Sequence, residues 1–107
     1  MDHRNAVRIL EALSSRPRLA VYGLLMQADV DGLSAGDIAR SLDVASSSLS
    51  FHLKELTMAG ILICEQRGRQ MFYSPNVQAV RDLIGFLTEN CCAGEALVPK
   101  DSSPTIE

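Results

Sequence analysis

The chain has no tryptophan, and aromatic residues of all kinds make up only 5% of it. It also has no apolar run approaching the ~20 residues that a membrane-spanning helix requires, so no bilayer-spanning segment is expected. The N-terminal "MDHRNAVRIL" lacks the basic start, apolar stretch and small-residue cleavage site of a secretory signal. The expected location is therefore the cytoplasm. Cysteine is scarce, with three in 107 residues: Cys64, Cys91 and Cys92. In a reducing compartment three cysteines do not read as a disulfide framework, and reactive or ligand-binding thiols are the better expectation. No Cys-x-x-Cys or Cys-x₅-Arg run exists. A thiol reductase would need an attacking thiolate beside an anion-binding loop, so no enzyme and no catalytic cofactor are expected. His3 and His52 are the only histidines, too isolated to suggest zinc.

A surplus of positive charge is missing as well, since the net charge is −3. Its distribution matters more than its sum. Glu89, Glu95, Asp101 and Glu107 stand against Lys100 from residue 89 onward, so of the 13 acids and 10 bases, nine of each remain in residues 1–88. A neutral body can still carry a basic face.

Hydrophobic residues are plentiful at 47%, enough for one domain with its own core. Ala6, Ile9, Leu10 and Leu13 recur at the spacing of a helix with one buried face. Pro17 suits the first turn of a second helix, where its missing N–H would be unpaired anyway. Val21, Leu24, Leu25 and Ala28 continue that helix, and Leu19, Tyr22 and Met26 on its other faces suggest a central position. "DVDGL" (29–33) ends it. Ser34 with Asp37 is a capping-box variant opening a short third helix, with Ile38 and Leu42 facing inward. After the connector "DV" (43–44), "ASSSLSFHLKELTMAG" places Leu49, Leu53 and Leu56 on one face, and Gly60 is its expected stop.

Beyond Gly60 the period changes. "ILICEQ" and "QMFYS", separated by "RGR", read as a β-hairpin with Gly68 in its turn. Asn76 is positioned to cap a last helix, whose stripe of Val77, Val80, Ile84 and Leu87 is widened by Leu83 and Phe86. The expected fold class is mainly α with a β-hairpin wing, a winged helix-turn-helix in the order α-α-α-α-β-β-α. Residues 1–94 form the domain, and 95–107 ("EALVPKDSSPTIE") a mobile tail.

On the fourth helix, Ser46, Ser47, Ser50 and Lys54 project away from the leucines, flanked by Phe51 and His52. Small hydroxyls near a helix start can meet base edges and phosphates and let the helix enter the major groove. Arg67 and Arg69, on either side of Gly68, would be phosphate or minor-groove contacts of the wing. The plainer alternative is that the serines cap the helix and the arginines solvate a turn.

The run "GDIARSLDVASSSLSFHLKEL", the wing "GRQMFYS" and the flanking helices resemble the ArsR/SmtB family of metal-responsive repressors over roughly residues 5–94. The resemblance implies a homodimer, paired through its first and last helices, that binds a palindromic double-stranded DNA operator and leaves it when an inducer binds. Two recognition helices (about 45–59) would enter successive major grooves, about 34 Å apart. The helix before the recognition helix, "SAGDIARSL", has no cysteine, and the last helix has Asp82 but no histidine, so two of the family's usual sensor sites are missing. "TENCCAG" resembles the ending of an arsenic-sensing subgroup, whose third cysteine this chain lacks.

Soft sulfur ligands select soft ions, so trivalent arsenic or antimony is the expected inducer at Cys91 and Cys92. Adjacent side chains on a regular helix point about 100° apart, so the pair would chelate best where the helix end unwinds, as Ala93-Gly94 permits. A third ligand could come from Cys64, from a partner's cysteine, or from the ligand's own carbon or hydroxide, as in a methylated arsenical. Cys64 also reads as a small core residue of an apolar strand. For Cys91 and Cys92, a redox switch and plain helix-end packing stay open. A winged domain that binds protein instead of DNA is the remaining alternative.

Overall fold

The structure, a computed structural model, describes residues 1–89. Cys91, Cys92, the boundary at residue 94 and the segment 95–107 lie outside the described residues. Among the described residues, five helices and three strands follow in the order α1 (His3–Leu13), α2 (Arg16–Gln27), β1 (Leu33–Ser34), α3 (Ala35–Leu42), α4 (Ser46–Met58), β2 (Leu62–Arg67), β3 (Gln70–Pro75) and α5 (Val77–Thr88). This is the expected winged helix-turn-helix with one added element, the two-residue β1. It pairs antiparallel with β3, Leu33 opposite Tyr73, and makes a sheet of order β1-β3-β2. Two residues are too few to show an alternating pattern. The approach is close: Gly32 has φ +81°, and a Cβ there would run into the Tyr73 carbonyl oxygen, so only glycine fits.

The core forms where the helices meet the base of the wing. Ala6, Ile9 and Ala12 of α1, Val21 and Leu25 of α2, Ile38 of α3, and Leu49, Leu53 and Leu56 of α4 are buried with Ile61, Leu62 and Leu83. The α4 leucines are those its periodicity predicted. The end of α4 is fixed by two bonds, Gly60 N–H to the Thr57 carbonyl at 3.0 Å and Ile61 N–H to the Leu56 carbonyl at 3.1 Å. Gly60 is left-handed at φ +85°, and Leu56 and Ile61 are both fully buried. These are the bonds and the apolar contact of a Schellman closure. Asn76 ties the last helix to this corner. Its side-chain oxygen accepts from Ala79 N–H at 3.2 Å, and its amide nitrogen donates to the Gly60 carbonyl at 2.9 Å.

The terminal helices depart from the expected stripes. In α1, Leu10 is exposed along with Val7, and Ala12 takes the inner position. In α5, Leu83 alone is buried, with Ala79, Val80 and Phe86 packed beside it, while Val77, Ile84 and Leu87 face outward. Similarly, Leu19 and Met26 leave α2 exposed on one side. Periodicity reveals an apolar face but not what covers it.

Candidate nucleic-acid interface

Four of the five helices begin with a side-chain cap. The Asp2 carboxylate accepts from Asn5 N–H, Ser15 Oγ from Arg18 N–H, Ser34 Oγ from Asp37 N–H and the Asn76 side-chain oxygen from Ala79 N–H. Helix α4 begins on Ala45, which has no capping side chain. Ser46, Ser47, Ser48 and Ser50 are all exposed, and they follow the cap position instead of occupying it, so the serines do not cap the helix. The first turn of α4 thus has no side-chain cap and carries exposed serine hydroxyls, an arrangement suited to phosphate. Lys54 extends this face one turn further on. Lys54 is exposed and without an ion pair among the described residues.

The two aromatic positions beside this face differ. Phe51 is exposed at 55% and lies on the outward side with Ser47 and Lys54. His52 is half-buried and turned toward α2, where its Nδ1 accepts from Arg18 Nε at 3.1 Å. Its neighbour on α2, Arg18, was not legible as a site residue, because the bond joins positions 34 apart in sequence.

The wing stands against the other flank of α4. Ser50 shares a cleft with Ser34 and Gly36 at the start of α3 and with Gln70, Met71 and Tyr73 of β3. The hairpin closes through Gly68-Arg69 alone, since Arg67 pairs with Gln70 inside the ladder. Gly68 is left-handed at φ +65° and Arg69 is not, the sign pattern of a type II′ turn. The two wing arginines are not equivalent. Arg67 pairs with Glu65 at 2.9 Å and stacks 4.6 Å from the Phe72 ring centroid, so its charge is partly answered within the wing. Arg69, at the tip, is exposed and has no ion pair among the described residues.

Cys64 is half-buried on β2 opposite Tyr73. Burial pushes the Tyr73 hydroxyl up to about 12, aided by the neighbouring Cys64 thiol. The described residues contain no group of three His, Cys, Asp or Glu side chains able to hold a metal ion.

A family model described as a helix-turn-helix domain matches residues 1–65. The chain belongs to that helix-turn-helix family. Among curated relatives of this helix-turn-helix chain, the transcriptional repressor SdpR of Bacillus subtilis is 29% identical, over 74% of this chain and 84% of its own length. The transcriptional activator HlyU of Vibrio cholerae is 28% identical, over 81% and 78% respectively. An ArsR-like transcriptional regulator from Rhodococcus matches in structure with a TM-score of 0.78 at 21% identity, covering 88% of this chain and 86% of its own. Reduced HlyU from Vibrio cholerae gives 0.64 at 27% identity, covering 83% and 90%. A homodimeric winged helix-turn-helix DNA-binding domain from Mycobacterium bovis gives 0.66 at 19% identity, covering 82% of both chains. No helix among the described residues is long and apolar enough to cross a membrane.

Proposed function

We propose that this helix-turn-helix protein is a homodimeric transcriptional repressor of the ArsR/SmtB type, bound to double-stranded operator DNA and released by trivalent arsenic or antimony at Cys91 and Cys92. The observation that carries the DNA reading is the uncapped first turn of α4, lined by exposed serines and standing beside a wing whose tip holds Arg69, which has no ion pair among the described residues. Helix α4 enters the major groove and the wing meets the adjacent backbone. The outward apolar residues Val7 and Leu10 of α1 and Ile84 and Leu87 of α5 supply the pairing surface, and pairing sets the spacing of the two recognition helices.

The inducer reading is supported by the chemistry of two adjacent thiols, Cys91 and Cys92, which follow α5 closely in the sequence and suit a soft trivalent ion. Cys64 is the third donor of the chain, and its half-buried place on the wing favours the packing role. Thiolate binding at Cys91 and Cys92 reshapes the end of α5 and so shifts the pairing helices, a coupling of about 1–3 kcal/mol. A redox reading of the same thiols has one observation in its favour: the similar HlyU is described in a reduced form.

Titration of a preformed complex between the chain and DNA it selects from a random pool separates these readings. Arsenite, antimonite or methylarsenite is expected to release the DNA from the wild-type chain and to fail with Cys91→Ser. Release by an oxidant alone would favour the redox reading, and release from Cys91→Ser by arsenite would remove the site. Ile84→Glu is expected to yield monomers with weakened DNA binding; a dimer retained in that variant would place the pairing surface elsewhere.

A further inference from the structure

Arg18 belongs to the first turn of α2, yet its side chain reaches across to α4. Its Nε–H donates to His52 Nδ1 at 3.1 Å, and its guanidinium carbon lies 5.4 Å from the Phe51 ring centroid. Glu11 of α1 and Glu55 of α4 line the same cleft, but neither forms an ion pair with Arg18. The guanidinium is therefore committed to two consecutive residues of the recognition helix. A neutral imidazole that accepts at Nδ1 carries its proton on Nε2, and an imidazolium has no lone pair to accept with. A planar guanidinium can donate in its plane while an aromatic ring lies against its face, which a lysine ammonium cannot reproduce.

We propose that Arg18 is a positioning residue for DNA recognition: it fixes His52 as the Nε2–H tautomer and holds the exposed Phe51 ring, so that α4 meets the groove with both side chains already set. The inference rests on the DNA-binding reading above. Side chains fixed before association lose less freedom on binding, and an imidazole whose proton is fixed on Nε2 offers a donor at a defined atom.

The test uses the full chain as wild type, Arg18→Met, Arg18→Lys and His52→Ala, with two readouts. Long-range ¹H–¹⁵N spectra of the free protein report the His52 tautomer: Nε2–H is expected in the wild type and a mixture in Arg18→Met. Affinity as a function of salt is then measured on DNA that the wild type selects from a random pool. Both Arg18 variants are expected to bind about tenfold more weakly. The slope of log affinity against log salt is expected to stay at its wild-type value, and Arg18→Met combined with His52→Ala is expected to weaken binding by less than the product of the two single effects, the remainder being the loss at Phe51. A slope smaller by about 0.9 in Arg18→Met, with affinity restored in Arg18→Lys, would make Arg18 a phosphate contact and overturn the positioning role. Mixed tautomers in the wild type would also overturn it. Selection of no DNA by the wild type would remove the functional reading itself, and this inference with it, even with the tautomer fixed.

Discussion

The two helices of the helix-turn-helix, α3 and α4, are stabilised in different ways. Helix α3 is closed on itself: Ser34 caps its start, Asp37 pairs with Arg40 one turn on, and Asp43 ends it in the left-handed region at φ +53°. Helix α4 has no cap at its start and is held instead by its leucine face and its Gly60 closure. A helix anchored from within and from its far end can leave its first turn open, and the open turn carries the exposed serines. Stability and the proposed DNA contact thus fall on different parts of one element.

The largest expected effect tests the anchoring. Leu53 is 1% exposed, and Leu53→Ala is expected to lower stability by about 2–5 kcal/mol in denaturant unfolding. A much smaller loss would mean that α4 is held by something other than its inner face. Exchanging the caps comes next. Ser34→Ala is expected to cost ~1 kcal/mol, and Ala45→Asp to gain about the same, because Ala45 already has extended backbone at φ −67°, ψ 141°. The two variants differ in DNA affinity: Ala45→Asp puts a carboxylate where a phosphate is expected and should bind DNA more weakly despite its higher melting temperature. If stability and affinity rise together, the open turn is not a contact.

The smallest effect concerns the wing beside both helices. Tyr73 is raised to about 12 from 10, so its neutral form is favoured by the fold. Its contribution is complete below pH 10 and is lost as the pH climbs toward 12. The wild type should therefore lose stability relative to Tyr73→Phe across that window, as followed by melting temperature, and parallel curves would place the Tyr73 hydroxyl in water.

How much of this was legible in the sequence depended on the range of each interaction. The leucines of α4, the Ser34 cap, the Gly60 stop and the turn at Gly68 are local patterns, and each was found where expected. Asp37 was legible only in part, since its carboxylate pairs with Arg40 instead of completing a reciprocal box. Strand β1 escaped because two residues carry no period. The apolar stripe of α5 was visible, but its direction was not, because Val77, Ile84 and Leu87 look like core residues until the single inward Leu83 is placed. Arg18 was beyond reach for the same reason as any contact across the fold: nothing in "SSRPRL" reports what stands opposite it.

The most direct measurement is a map of backbone amide shifts as DNA selected by the wild-type chain is added to it. The largest changes should fall at Ser46–Ser50, at Lys54 and at the wing tip around Gly68 and Arg69, with α3 little affected. Binding with changes centred elsewhere, and with the first turn of α4 unmoved, would contradict the assignment of that turn as the DNA-reading surface.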